Sequence, residues 1–64
     1  MSAESDAGVA ARAANKPYYT TSEEDRERYH NKANCPDGKR IEYQHIRAGS
    51  GVGRTLCHEC PKVY

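Results

Sequence analysis

The sequence predicts a small zinc-stabilised α+β fold: one short helix plus a β-hairpin in a zinc-ribbon-like arrangement, behind a disordered N-terminal tail. Three observations lead there. The chain has 64 residues and few large apolar side chains, namely Val9, Ile41, Ile46, Val52, Leu56 and Val63, with five tyrosines and neither Phe nor Trp. It has three cysteines, Cys35, Cys57 and Cys60, all in its second half. Its composition changes near Lys16 and Pro17. A chain of this size buries only about 60% of its unfolded surface, so the core needs a staple: disulfides, a metal or a partner.

The cysteines choose between these. An odd number cannot close into a full set of disulfides. The stretch "MSAESDAGVAARAANK" lacks the basic start and apolar run of a secretory signal, and nothing approaches the ~20 apolar residues of a membrane span. The expectation is a cytoplasmic, reducing location with no membrane contact, where clustered cysteines indicate metal.

Along the chain, residues 1–17 read as a disordered tail. Their alanines favour helix, but no apolar stripe offers a packing face. Residues 18–64 read as a single zinc-binding mini-domain. In "PYYTTSEEDRERYHNK", Thr21 with Glu24, and Ser22 with Asp25, have capping-box spacing, and the acids suit the positive end of a helix. A helix of two to three turns ending near His30 is predicted, docked through Tyr29 and Tyr18 or Tyr19. Pro36, Asp37 and Gly38 then form a tight turn that can aim backbone amides at the Cys35 sulfur. "RIEYQHI" alternates, with Ile41, Tyr43 and His45 on one face and Glu42, Gln44 and Ile46 on the other, which predicts a strand. "AGSGVG" reverses the chain and "RTL" returns as a second strand, so the hairpin carries Cys35 and the Cys57/Cys60 pair to one end.

Three sulfurs at one end leave a tetrahedral zinc site one ligand short. His30 is the leading candidate, because a His-x4-Cys pair then faces a Cys-x2-Cys pair. His45, in mid-strand, and His58, between two converging cysteines, remain as alternatives. The predicted metal ligands are therefore His30, Cys35, Cys57 and Cys60, holding one structural Zn2+.

His30, Cys35-Pro36-x-Gly38-x-x-Ile41, Gly49-x-Gly51-x-Gly53 and Leu56-Cys57-x-x-Cys60 together resemble a group of small zinc-ribbon-like proteins of actinobacterial viruses and their hosts. The likeness covers residues 30–60, and implies a bacteriophage or host-cytoplasm setting without bringing an activity. The pattern is also similar to zinc ribbons in general, whose first knuckle carries Cys-x-x-Cys. Here Gly38 stands where the second cysteine would be, and His30 replaces it from the other side.

Enzyme classes find little purchase. Catalytic zinc keeps an open position, whereas four protein ligands are available here, and the chain is short for a pocket of several hundred Å³. The His-x-Glu signature of zinc deaminases is absent, since Asn31 and Lys32 follow His30. "GSGVG" lacks the Lys and helix of a phosphate loop. A βαβ frame for a redox Cys-x-x-Cys is missing too. Charge separates weakly along the chain: residues 1–28 hold six acids and four bases, residues 29–64 six bases and three acids. The expected function is a non-enzymatic, monomeric module that binds a protein partner. The alternative is a nucleic-acid-binding zinc ribbon contacting RNA or DNA through Arg40, Tyr43, Arg47 and Arg54.

Overall fold

The computed structural model describes residues 3–63. Its elements are helix α1 (Ala3–Ala13), strand β1 (Tyr18–Thr20), strand β2 (Arg28–Tyr29), the single turn of helix α2 (Pro36–Lys39), strand β3 (Ile46–Ala48) and strand β4 (Thr55–Leu56). Short 3-10 turns occupy Glu23–Asp25, Tyr43–His45 and Cys60–Lys62. The result is a small α+β fold with two two-stranded sheets.

The segment expected to be a tail is α1, and its first two residues lie outside those described. Alanine is the strongest helix former, and Glu4 and Asp6 in the first turn with Arg12 in the last complement the helix dipole. Asn15 ends the helix in the left-handed conformation, φ 57°. Its N–H bonds to the Arg12 carbonyl at 3.2 Å, and that of Lys16 to the Ala11 carbonyl at 2.8 Å, the two bonds of a Schellman ending. The buried face consists of Ser5, Gly8 and Ala11. A stripe so small is not apolar in the usual sense, but it lets backbone approach backbone. A Cβ on Gly8 would lie 2.7 Å from the carbonyl carbon of Ile46 and 2.8 Å from the Arg47 nitrogen.

The helix expected before His30 is replaced by the Glu23–Asp25 turn, after which the chain extends into β2. So short a helix with no apolar face has little to hold it, and Tyr18 offers an extended alternative. Tyr18 N–H donates to the His30 carbonyl at 2.8 Å, and His30 N–H returns a bond to the Tyr18 carbonyl at 2.7 Å. The capping role assigned to the Glu24 side chain lies outside the described residues.

The expected hairpin does not form either. The "EYQH" stretch turns, with the His45 and Ile46 amides both bonding to the Glu42 carbonyl at 2.9 and 3.2 Å. Strand β3 then pairs antiparallel with β1, placing Tyr18 opposite Ala48, Tyr19 opposite Arg47 and Thr20 opposite Ile46. Strand β4 pairs with β2 and runs parallel to it, with Arg28 opposite Thr55 and Tyr29 opposite Leu56. Local alternation over seven residues could not foresee partners lying about 27 residues away. The buried side chains form two clusters: Ala11, Tyr18 and Ile46, against which Val9 and Ile41 pack, and Cys35, Cys57 and Cys60, against which Leu56 and Val63 pack.

The packing of α1 on β3 fixes the sign of one substitution. On an isolated or undocked helix, Gly8→Ala would stabilise by about 1 kcal/mol through propensity. Against the Ile46 backbone it is expected to destabilise by about 1–3 kcal/mol, as overpacking does, measured by urea unfolding of the metal-loaded protein.

Candidate metal centre

The parallel ladder of β2 and β4 brings the first two donors together. His30 follows β2 and Cys57 follows β4, and Cys57 N–H bonds to the Tyr29 carbonyl at 2.8 Å, so the two side chains emerge at the same level. Cys35 stands at the N-cap of α2 in extended conformation, φ −61° and ψ 125°, with Pro36 at the first helical position, where a missing N–H costs nothing. Cys60 opens the turn Cys60–Lys62, again followed by a proline.

His30, Cys35 and Cys60 are fully buried and Cys57 is 4% exposed. Their donor atoms all lie within 4.8 Å of one another, and the set can hold a metal ion. A tetrahedral metal with bonds of about 2.3 Å to sulfur and about 2.0–2.1 Å to nitrogen has edges of about 3.8 Å between sulfurs and about 3.6 Å between sulfur and nitrogen. The Sγ atoms of Cys35 and Cys57 are 3.8 Å apart, and His30 Nδ1 is 3.6 Å from the Sγ of both Cys35 and Cys60. These separations match the edges of that polyhedron.

The surroundings act on the thiols in two directions. Burial pushes the Cys35 and Cys57 thiols up, while backbone amides pull them partly back: that of Gly38 at Cys35, and those of Glu59 and Cys60 at Cys57. A positive ion favours the thiolates, and its binding must release their protons. His30 Nε2 donates to Asp25 Oδ2 at 2.6 Å, which leaves Nδ1 facing the sulfurs. Asp37 Oδ2 lies 3.8 Å from the Cys57 sulfur.

Tyr18 is the floor of the centre. Fully buried, it sets its ring 5.4 Å from that of His30 and donates its hydroxyl to the Lys32 carbonyl at 2.7 Å. Burial, with the neighbouring Cys35 and Cys60 thiols, pushes its pKa above the usual phenol range. Gly38 makes room for it, since a Cβ there would sit 1.9 Å from the hydroxyl oxygen.

The other two histidines lie elsewhere. His45 Nδ1 bonds to Thr21 Oγ1 at 3.0 Å, and His58 is exposed. Of the residues read as a nucleic-acid face, Arg40 is exposed and Tyr43, 40% exposed, donates its hydroxyl to Asp6. Arg47 bonds to Ser5 Oγ and to the Gln44 and Ile46 carbonyls. Arg54 bonds to the Asp25 and Arg28 carbonyls. An open groove of about 420 Å³, larger than so short a chain suggested, is bordered by Asp25, Asp37, Arg40, Ile41, Glu42 and His45, and none of the four donors lines it. Asp25 and Tyr18 went unrecognised in the sequence as parts of the centre; no spacing marks either, because each reaches His30 through tertiary structure.

No protein-family model, curated protein or solved structure matches the chain. Among the described residues no helix is long and apolar enough to cross a membrane.

The fit between Gly38 and Tyr18 yields a pairwise prediction. Gly38→Ala is expected to destabilise by about 1–3 kcal/mol as an overpacked site. Tyr18→Phe is expected to cost about 1–2 kcal/mol by leaving the Lys32 carbonyl without its donor. Because the hydroxyl is the nearest obstacle, at 1.9 Å against 2.9 Å for the ring carbon behind it, the double variant should lose clearly less than the sum, as read by thermal unfolding of all four proteins under one metal concentration.

Proposed function

We propose that the chain is a non-enzymatic module stapled by one structural zinc ion, which acts by presenting its surface to a protein partner. The observation that carries the structural role is the donor set itself: four buried donor atoms within 4.8 Å of one another, three of their separations at tetrahedral edge lengths. With all four bound, such a set would leave no coordination position for water or substrate, and one nitrogen with three sulfurs is a donor combination suited to zinc.

Support for a protein partner is of a different kind. The formal net charge is only +1, and Arg47 and Arg54 each direct guanidinium N–H groups at main-chain carbonyls of the protein itself. The reversal at Gly49–Gly53 holds three glycines at positive φ and displays Val52 in full exposure, an apolar side chain placed where a partner surface can cover it.

Native mass spectrometry of protein made under reducing conditions should show one zinc per chain. Removing it with chelator should collapse the dispersed NMR spectrum, since structural zinc contributes roughly 10–16 kcal/mol to small domains. His30→Ala should behave like the chelated protein. A metal-free chain that keeps its fold would overturn the staple. Binding to single-stranded RNA or DNA that weakens steeply from low to physiological salt would favour the nucleic-acid reading over a protein partner.

A further inference from the structure

The centre has an outer layer that its four donors do not include. Asp25 sits in the turn Glu23–Asp25, five residues before His30, and its side chain is 28% exposed against 0% for the imidazole it meets. Among the described residues, the 2.6 Å contact from His30 Nε2 to Asp25 Oδ2 is the one polar contact of the imidazole outside the sulfur cluster, and it decides which ring nitrogen is left for a metal. A carboxylate accepting the far N–H of a ligating imidazole fixes its tautomer and ring orientation and raises its basicity.

A two-residue strand and a single 3-10 turn would not by themselves hold Asp25 at that distance. Arg54 does so from the other side of the chain. One guanidinium nitrogen bonds to the Asp25 carbonyl at 3.0 Å and to the Arg28 carbonyl at 3.1 Å, bracketing the segment between the turn and β2. The guanidinium also lies over the Tyr19 ring, 4.5 Å from its centroid, which fixes its plane. Gly51 gives the side chain its path: a Cβ there would meet Arg54 Cδ at 2.5 Å, and its φ of +70° suits glycine. The glycine reversal thus serves Arg54 as well as turning the chain.

We propose that Asp25 is the outer carboxylate that sets how tightly the centre retains its metal, with Arg54 as the positioning residue that aims it at His30. The relay runs from Tyr19 and Gly51 through Arg54 and Asp25 to His30 Nε2. It rests on the zinc reading above and adds the residues that govern affinity, none of which is a ligand. Asp25 also borders the open groove, so the relay is reachable from solvent while the donors are not.

The test uses the full chain and Zn2+ or Co2+ in competition with a chromophoric chelator. Asp25→Asn keeps the size and an acceptor oxygen but removes the charge, and should weaken retention by roughly 10–100-fold, the usual cost of losing such a partner. The far-ultraviolet dichroism and the cobalt thiolate absorption of the loaded protein should stay as in wild type. Arg54→Ala should weaken retention by a smaller factor, and in the Asp25→Asn background by clearly less than in wild type, because the neutral acceptor left to position is worth less to the imidazole than the carboxylate. In the zinc-loaded wild type, the His30 Nε2 proton should give a slowly exchanging NMR resonance that is lost or shifted in Asp25→Asn. The wild-type resonance by itself tests the relay even where the variant does not fold. An Asp25→Asn affinity within twofold of wild type, equal losses from Arg54→Ala in both backgrounds, or a His30 Nε2 proton in free exchange with water would each overturn the relay. Wild-type protein that takes up no metal would instead overturn the zinc reading beneath it.

Discussion

Tyr18 and His30 exchange both main-chain hydrogen bonds, at 2.8 and 2.7 Å, and much of the molecule hangs on that pair. Tyr18 belongs to the antiparallel sheet and His30 directly continues the strand of the parallel one, so this single bridge joins two sheets that are each too small to stand alone. The same two residues pack ring to ring, and the imidazole carries its donor nitrogen into the sulfur cluster from there. A chain without a conventional core has therefore placed its largest fully buried side chain against the histidine that faces the sulfurs.

Close approach replaces apolar bulk elsewhere too. Gly8 lets α1 lie on the backbone of β3, and Gly38 lets the turn after Cys35 close over the Tyr18 hydroxyl. Arg12 then links these regions, its guanidinium reaching from α1 to the carbonyls of Gly38 and Ile41, while Asn15 at the helix end accepts the amide of Ala33. The N-terminal helix is thereby tied to both sides of Cys35. Polar side chains that bond to backbone carbonyls serve here where a larger protein would use leucine, and they satisfy acceptors that burial would otherwise leave costly.

The cluster was legible in the sequence as a candidate metal site because coordination chemistry is local in character: sulfur and imidazole are rare, and their spacing constrains where they can meet. The candidate cluster His30, Cys35, Cys57 and Cys60 needed only that arithmetic, and the amide-bearing turn after Cys35 needed only Pro36 and Gly38. The scaffold was far less legible. A packing face made of Ser5, Gly8 and Ala11 carries no hydrophobic signal, although Asn15, Lys16 and Pro17 in succession do read afterwards as a helix stop. The strands are two or three residues long, too short for a period to show, and both pair with segments far away in the chain. Asp25 illustrates the limit best. Its charge and position suited a helix N-terminus, and only the tertiary fold reveals that its partner is an imidazole.

The parallel ladder between Arg28–Tyr29 and Thr55–Leu56 is too short to define its own alignment. Side chains alternate along a strand, so a slip of one residue would turn Cys57 to the opposite face from His30. An ion held by the four residues would thus proofread strand register: binding the alignment in which His30, Cys35, Cys57 and Cys60 converge would withdraw it from the competing ones. Metal and ladder would then specify each other, and a misaligned chain would present unpaired strand edges to its neighbours instead of a closed cluster.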